Sequence, residues 1–412
     1  MSTRRTLWIA IIVLAIAIVI EGSVFLWLFL RSDIPSSDDL VAFGPDMPLQ
    51  LVLGGDLTQT LAEDVDAGDY RFPTVAPDGR SLVYVGVEDD VFVLFQVDLE
   101  SQRRTELFRN ATAQPFAMGW SPDSRYVSFL ANLPSNLGVY VVRADGAEAA
   151  QQIAAAQQAY MMWSQDSQSL LMHVNGHQFD GGRVEIYRLG ATRPSTIAND
   201  PGFFFTPAWV LDSDEVFYVL QPPIVGSQPT GEDLANHMVR MSVDGDETEV
   251  LSEEPASIIR MVRAPNNNQI AYIRQGVNSG GSISGRLSLV DENGEISVVT
   301  EAAQNVLTFF WSPDGNQIAY LSQVQSSASI LQTWHIFDVE SASTRSLSTF
   351  QPSETFVRFQ LFFDAFIDSF SPWSADGTRL LYGADDGVYT LDVADGQTTR
   401  VADGEWGVWV GR

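Results

Sequence analysis

Short apolar segments separated by turn residues recur along almost the whole chain after residue 40. The clearest copy runs from Trp311 to Tyr320 and reads Trp-Ser-Pro-Asp-Gly-Asn-Gln-Ile-Ala-Tyr. Pro-Asp-Gly is typical of a tight turn, and Ile-Ala-Tyr is typical of a buried strand that begins soon after it. The unit therefore predicts the end of one strand, a corner that reverses the backbone, and a second strand.

Variants of this corner recur at intervals of mostly about 45 residues, the period expected of four-stranded propeller blades. The corners lie at residues 76–79, 121–124, 164–167, 211–214, 264–267, 312–315 and 374–377. Between successive corners a second hairpin with an Asp/Gly turn repeats. We name the strands of a blade A to D, with the corner between A and B. The pattern predicts seven complete blades.

The leftover segments at the two ends of the repeat region are complementary. Residues 405–410 have the pattern of a strand A, Leu40–Phe43 that of a strand B, and 51–61 that of a C–D hairpin. Joined together they predict an eighth blade that closes the ring by pairing the two ends of the chain. A seven-bladed ring with frayed ends is the alternative.

The repeat resembles the PD40, or WD40-like, repeats of TolB-type propellers and of the propeller that precedes the catalytic domain in prolyl-oligopeptidase-like enzymes. The resemblance covers about 370 residues, and Trp311–Tyr320 matches the pattern almost fully, whereas the corners at 212–214 and 265–268 match poorly. It implies an all-β propeller fold. It says little about function, because unrelated functions share this architecture.

The first 39 residues predict a membrane anchor. Residues 1–6 form a short tail with two arginines, residues 7–30 are almost continuously apolar, and 31–39 form a linker to a propeller at 40–412. A helix of this length spans a bilayer core of about 30 Å, and the charges place the N-terminus in the cytoplasm. A cleaved signal peptide is the alternative. Glu21, the one ionisable residue in the span, is a candidate contact for a partner helix.

Composition excludes several classes of function. The formal charge of −29 disfavours binding to nucleic acid. The absence of cysteine removes disulfides, thiolate metal sites and cysteine nucleophiles. No Gly-x-Ser-x-Gly nucleophile elbow of a serine hydrolase occurs. We expect neither a cofactor nor a resident metal.

Few residues are candidates for chemistry. The corner aspartates are predicted to form turns, and the tryptophans that precede most corners are predicted to pack in the core. His173 and His177 with Asp180 could bind zinc, but the Asn-Gly between the two histidines indicates a solvated turn.

The two faces of the ring differ. A–B and C–D turns are short, whereas most B–C and D–A connections are long, and long loops on a rigid scaffold are where binding usually occurs. The connection at 350–372 predicts a short amphipathic helix with aromatic residues at three- and four-residue steps. Those residues are Phe356, Phe359, Phe363, Phe366 and Phe370. The helix either packs over the mouth of the channel or forms an exposed aromatic ridge that binds a partner.

Together these observations predict a single-pass, extracytoplasmic propeller that acts without catalysis. Its partners would be envelope or membrane proteins, bound through the long-loop face by the five phenylalanines, by Glu21 and by the loop from Gln221 to His237. The short-turn face would look toward the membrane. The alternative is a propeller that binds a carbohydrate or small molecule, or an enzyme, with its site at the channel mouth.

Overall fold

The computed structural model is a ring of eight β-sheets, each corresponding to one propeller blade. It describes residues 38–54, 57–68, 70–176, 179–199, 201–202, 205–221, 235–245, 247–255, 258–275, 285–300, 305–324 and 330–411. The predicted all-β fold with eight blades is therefore confirmed. We call the face with the A–B corners and C–D turns the corner face, and the opposite face the loop face.

Blades 1 to 4 are antiparallel four-stranded sheets whose strands pair in sequence order. Blade 1 contains β4 (Thr74–Val75), β5 (Ser81–Glu88), β6 (Val91–Asp98) and β7 (Arg104–Asn110). Blade 2 contains β8 (Gln114–Trp120), β9 (Tyr126–Asn132), β10 (Leu137–Arg143) and β11 (Gln151–Ala156). Blade 3 contains β12 (Ala159–Trp163), β13 (Ser169–Gly176), β14 (Phe179–Arg188) and β15 (Ser195–Asn199). Blade 4 contains β16 (Ala208–Trp209), β17 (Glu215–Leu220), β18 (Ala235–Ser242) and β19 (Thr248–Pro255).

Blades 5 to 7 follow the same order, but the inner strand of blade 7 is reduced to one bridge between Trp373 and Leu380. Blade 5 contains β20 (Ile258–Arg263), β21 (Ile270–Gln275), β22 (Arg286–Val290) and β23 (Ile296–Val298). Blade 6 contains β24 (Val306–Trp311), β25 (Gln317–Val324), β26 (Leu331–Asp338) and β27 (Ser343–Phe350). Blade 7 contains β28 (Arg379–Ala384), β29 (Gly387–Asp392) and β30 (Thr398–Ala402).

Blade 8 joins the two ends of the propeller, as predicted. It contains β31 (Trp406–Trp409), β1 (Leu40–Phe43), β2 (Leu49–Leu53) and β3 (Leu57–Ala62), in that spatial order. The register pairs Leu40 with Trp409 and Phe43 with Trp406. Because both faces of β1 are packed against neighbouring blades, all four of its residues are buried. The ring is thus closed by hydrogen bonds between the first and last strands.

The corners form because an aspartate satisfies their backbone donors. In the corner of blade 6, Asp314 Oδ1 accepts hydrogen bonds from the Ser312 hydroxyl at 2.6 Å and from Asn316 N–H at 3.1 Å. The bond from Ser312 lowers the pKa of Asp314. Gly315 follows at φ 69°, a left-handed conformation that glycine adopts without strain. The corner aspartates are therefore turn formers, as predicted.

One long connection between blades 6 and 7 contains the helices of the propeller. They are α1 (Glu354–Gln360) and a single 3₁₀ turn, η1 (Phe363–Phe366). The Ser353 side chain caps α1 by accepting a hydrogen bond from Phe356 N–H, and the Glu405 carboxylate accepts another from Thr355 N–H at 3.0 Å. The predicted short helix is confirmed.

Within the described part of the chain, we find no helix with the length and apolarity needed to cross a bilayer. The predicted anchor at residues 7–30, including Glu21, lies outside the described residues.

Candidate functional site

The five candidate phenylalanines of the 350–372 connection are buried. Their exposed fractions are 1% for Phe356, 1% for Phe359, 0% for Phe363, 4% for Phe366 and 1% for Phe370. An exposed aromatic ridge is therefore wrong, because no partner can reach these rings in the folded protein. The structure instead agrees with the other interpretation, in which the helix packs over the mouth of the channel. We call residues 353–371 the channel plug.

The channel plug packs against aromatic residues from several blades. The Phe359 ring lies 4.3 Å from Trp406 of blade 8 and stacks on Phe310 of blade 6 at 6.0 Å. The Phe366 ring lies 5.5 Å from Phe72, which precedes the inner strand of blade 1. The rings come from positions far apart in the sequence, so only the closed propeller brings them together.

Polar contacts connect the channel plug to blades 2, 4 and 5 on the other side of the ring. The Ser369 hydroxyl donates to Met118 C=O of blade 2 at 3.2 Å, and Thr206 N–H, just before blade 4, donates to Asp364 Oδ2 at 3.1 Å. Arg260 of blade 5 donates to the carbonyls of Gln360 and Leu361 at 3.3 Å, where α1 ends. The segment therefore fills the channel on its loop-face side.

The ionisable groups around the channel plug are sealed from water. Burial raises the pKa of Asp364, and the Arg260 guanidinium counteracts part of this increase. Burial also lowers the pKa of Arg260 and raises that of Tyr160 well above its usual value. These residues form a buried polar cluster behind the phenylalanines, where no substrate has access in this conformation.

The predicted alternative of a zinc site is not supported at His173. Its side chain is fully buried, its Nδ1 lies 3.0 Å from Phe205 C=O, and its ring stacks on Phe205 at 4.3 Å. Burial lowers its pKa to about 4. His177 and the side chain of Asp180 lie outside the described residues. Among the described residues, no group of three or more potential ligands is arranged to hold a metal.

The channel is open on the corner face, where a cavity of about 480 Å³ lies at the centre of the ring. We call this cavity the corner funnel. Its wall contains indole rings from five blades and prolines from four corners, and its floor is the end of the channel plug. The indoles are Trp120, Trp163, Trp209, Trp311 and Trp373. Arg263 and Asp368 contribute opposite charges to the same wall.

The indole rings hold neighbouring blades together. Trp311 Nε1–H donates to Val262 C=O at 3.1 Å, and Trp373 Nε1–H donates to Phe310 C=O at 3.1 Å, each reaching the inner strand of the preceding blade. Trp120, Trp209 and Trp409 make equivalent bonds. The predicted packing role is confirmed. Because these bonds fix the rings, the wall of the corner funnel is rigid without any ligand.

A second cavity, of about 550 Å³, lies on the corner face between blades 3 and 4. We call it the blade 3–4 groove. Its wall includes Ile186, Leu189 and Val210 with the charged residues Asp166, Arg188, Asp212 and Asp214. Gln165 and Trp209 line both the groove and the corner funnel. The two cavities therefore adjoin and form one depression from the axis of the ring to its rim.

The corner of blade 4, which borders the groove, makes different contacts from the corners of blades 2 and 3. At the junction of blades 2 and 3, Asp123 N–H donates to the Ser167 hydroxyl at 3.0 Å, and Asp78 N–H makes the same bond to Ser124. In blade 4 the Ser213 hydroxyl donates instead to Glu215 Oε2 at 2.9 Å. No hydrogen bond is found between the described corner residues of blades 3 and 4. The poor match of the 211–214 corner was the only sequence signal for this opening.

The remaining predicted contacts cannot be placed. Most of the loop between Gln221 and His237 lies outside the described residues. The entry of the chain into the propeller is described: Asp38 pairs with Arg379, and Val410 N–H donates to Asp39 C=O at 2.9 Å. These contacts lie at the corner face, whereas α1 follows the loop-face end of β27.

Comparison with known proteins adds to this geometry. No family model matches the chain. An uncharacterised protein of Agrobacterium fabrum is 25% identical over 169 residues, which cover 36% of this chain and 54% of that protein. The match therefore spans about half the length of that relative.

Three similar solved structures are distant from this chain in sequence. A prolyl endopeptidase is 11% identical with a TM-score of 0.52, covering 82% of this chain and 49% of that one. An oligogalacturonate lyase in complex with manganese is 15% identical with a TM-score of 0.48, covering 89% and 84%. A putative TolB of Agrobacterium tumefaciens is 15% identical with a TM-score of 0.42, covering 76% and 99%. At such identities a likeness concerns the fold alone.

The repeat pattern, the corner geometry and the eight-sheet ring agree. The fold is an eight-bladed β-propeller. Its distinguishing features among the described residues are the channel plug on the loop-face side and the open depression on the corner face.

Proposed function

We propose that this protein is a membrane-held β-propeller that acts without catalysis, as an interaction module or accessory subunit of an envelope or membrane complex. One observation carries the proposal: the chain itself fills the loop-face end of the channel, while the corner-face end remains open as a rigid aromatic cavity. Such concave, mostly apolar cavities with a few polar groups are the usual binding sites of proteins. The partner is therefore expected at the corner face and not at the long loops.

The path of the chain supports a location beside a membrane. Asp38 and Asp39 enter the propeller at the corner face, only a few residues after the proposed span at 7–30. A linker of eight extended residues reaches at most about 29 Å. The corner face would thus look toward the bilayer across a gap that the extracytoplasmic part of a membrane-protein partner can fill.

In vivo photo-crosslinking tests this function. A photoreactive amino acid replaces Gln165 on the exposed rim of the corner funnel or, as the matched control, exposed Glu354 on α1. We expect a discrete membrane-protein adduct from position 165 and none from 354, with the full chain remaining in the membrane after carbonate extraction. An adduct from 354 alone, or an extractable protein without adducts, would contradict the proposal.

The carbohydrate-binding alternative is favoured by one feature, the half-buried indole of Trp209 that lines both cavities, because sugars stack on aromatic faces. Titration of the full-length protein with neutral and anionic oligosaccharides tests it. Saturable binding without any protein adduct would replace the interaction module with this function.

A further inference from the structure

The corner funnel and the blade 3–4 groove adjoin at Gln165 and Trp209, which line both cavities. Their combined shape is elongated, because one cavity lies on the axis of the ring and the other runs outward between two blades. A small compact ligand would occupy only one of them. An extended chain could occupy both, with its side chains directed into the two cavities.

The side chains that line this depression carry a net negative charge. Four carboxylates, Asp166, Asp212, Asp214 and Asp368, line the two cavities together with two guanidinium groups, Arg188 and Arg263. The whole protein is strongly acidic, with a formal charge of −29. Electrostatic complementarity therefore favours a cationic occupant and raises the rate at which it associates.

The aromatic surface points to the same chemistry. Trp209 is only half-buried, and its Nε1–H is already bonded to Met162 C=O at 3.2 Å, so the indole is held in place. A cation above an indole is attracted to the electron-rich face of the ring. The carboxylates of Asp212 and Asp214 lie on the exposed blade 4 corner beside this ring. Extended proline-rich segments also bind in grooves walled by aromatic residues.

We propose that the corner funnel and the blade 3–4 groove form a single site for an extended, basic and proline-containing segment of the partner protein. One Lys or Arg side chain of the segment lies against Trp209 and pairs with Asp212 and Asp214, while the apolar part of the segment lies in the corner funnel. This inference rests on the proposed function and adds the chemistry of the partner.

Calorimetric titration of the detergent-purified full chain with end-blocked peptides tests the site. The probes are heptapeptides Ac-Gly-Pro-Pro-Xaa-Pro-Pro-Gly-amide in which Xaa is Arg, Lys, Leu or Glu. We expect the Arg and Lys peptides to bind at least tenfold more tightly than the Leu peptide, with no detectable binding of the Glu peptide. Raising the salt concentration from 50 to 200 mM should weaken binding of the cationic peptides.

Two double variants separate the site from the overall charge of the protein. D212N/D214N should reduce affinity for the Arg peptide at least tenfold. The matched control, E292Q/E340Q, removes the same number of charges from exposed C–D turns on the same face and should leave affinity unchanged. Equal far-UV circular dichroism and melting temperatures of the variants would show that both are folded.

Three results would overturn the inference: no binding of the cationic peptides, equal binding of the Arg and Leu peptides, or equal effects of the two double variants. Saturable binding of a neutral oligosaccharide that D212N/D214N weakens, without any binding of the Arg peptide, would assign the site to another class of ligand. If the peptides fail while the crosslink from position 165 persists, the interaction module stands and only the basic-segment inference is wrong.

Discussion

The two mouths of the channel are built by the same eight blades, yet they differ in what a partner can reach. On the loop-face side, the five phenylalanines of the channel plug are 0–4% exposed and meet rings from blades 6, 8 and 1. On the corner face, a cavity of about 480 Å³ remains open; four of the five indoles in its wall are 2–7% exposed, and Trp209 at its rim is half-buried. The repeats therefore determine the ring, and one connection determines which end remains open.

Because its phenylalanines are buried, we expect the channel plug to be a permanent part of the core. Full burial of a phenylalanine side chain contributes about 1.5–3 kcal/mol. Five such side chains amount to on the order of 10 kcal/mol, comparable with the whole stability of a typical domain. A lid that opens in each binding event would have to lose this contribution, so we expect the loop-face mouth to stay closed.

The largest effect is expected from emptying the closed mouth. Phe359→Ala removes a ring that contacts Phe310 and Trp406, and we expect a loss of about 3–5 kcal/mol in the free energy of unfolding. Urea denaturation measures it. The control is Arg358→Ala, which removes an ion pair to Glu354 at the surface and should cost less than about 1 kcal/mol. A cost for Phe359→Ala as small as that of the control would show that the channel plug is not part of the core.

The second-largest effect concerns His173, a buried residue that packs near the channel plug. Because burial lowers the pKa of His173 from 6.5 to about 4, the unfolded chain binds a proton in this interval that the folded chain does not. The contribution of the neutral ring is complete above pH 6.5 and is lost as the pH falls to about 4. Over this pH window the free energy of unfolding falls by about 3 kcal/mol.

Urea denaturation of wild type and His173→Asn at pH 7 and pH 4.5 measures this contribution. The stability difference between the two proteins should change by about 2–3 kcal/mol in favour of the variant at pH 4.5. His335→Asn is the control, because burial lowers the pKa of His335 while that ring remains hydrogen-bonded to Ser322 and Ser346. We expect a smaller change there. Parallel pH profiles of wild type and His173→Asn would mean that water reaches His173.

The smallest effects distinguish the rigid and accessible parts of the open mouth. Trp373→Phe leaves the buried carbonyl of Phe310 without its indole donor, and we expect a cost of about 1–3 kcal/mol. Trp209→Phe removes the same kind of bond at the half-buried rim of the blade 3–4 groove, where water can replace the donor, and should cost less than about 1 kcal/mol. Thermal unfolding of both variants measures the difference. A larger cost at Trp209 would indicate that the groove is closed in solution.

Much of the fold could be predicted because its determinants are local. The Ser312–Asp314 hydrogen bond and the φ of Gly315 involve neighbouring residues, so each corner can be recognised from a few letters. The helix at 354–360 could likewise be predicted from the spacing of its aromatic residues. Closure by Leu40–Phe43 and Trp406–Trp409 was predictable because the repeat count left complementary strands at the two ends.

The candidate site was harder to predict because its determinants are distant in sequence. The apolar face of an amphipathic helix must pack against other apolar groups. The spacing of the apolar residues does not show whether those groups belong to a partner or to the protein itself. Phe359 is covered by Phe72, Phe310 and Trp406, which neither adjoin it nor share a motif. The exposed-ridge interpretation was wrong for this reason. The blade 3–4 groove lies beside the blade 4 corner, whose Ser213 hydroxyl bonds to Glu215 of its own blade. In the sequence, only the weak corner motif of blade 4 could have indicated this groove.

By itself, the sequence determined the repeated blade, the number of blades to within one, and which strands are candidates to close the ring. These follow from turn chemistry and from alternation within short segments. Only the tertiary structure decided that the channel is filled from one side and open on the other. Burial is set by what lies across the ring, and residues 353–371 reach partners that are up to about 300 positions away along the chain, as between Phe370 and Phe72. The location of the open cavity on the corner face is a consequence of that packing.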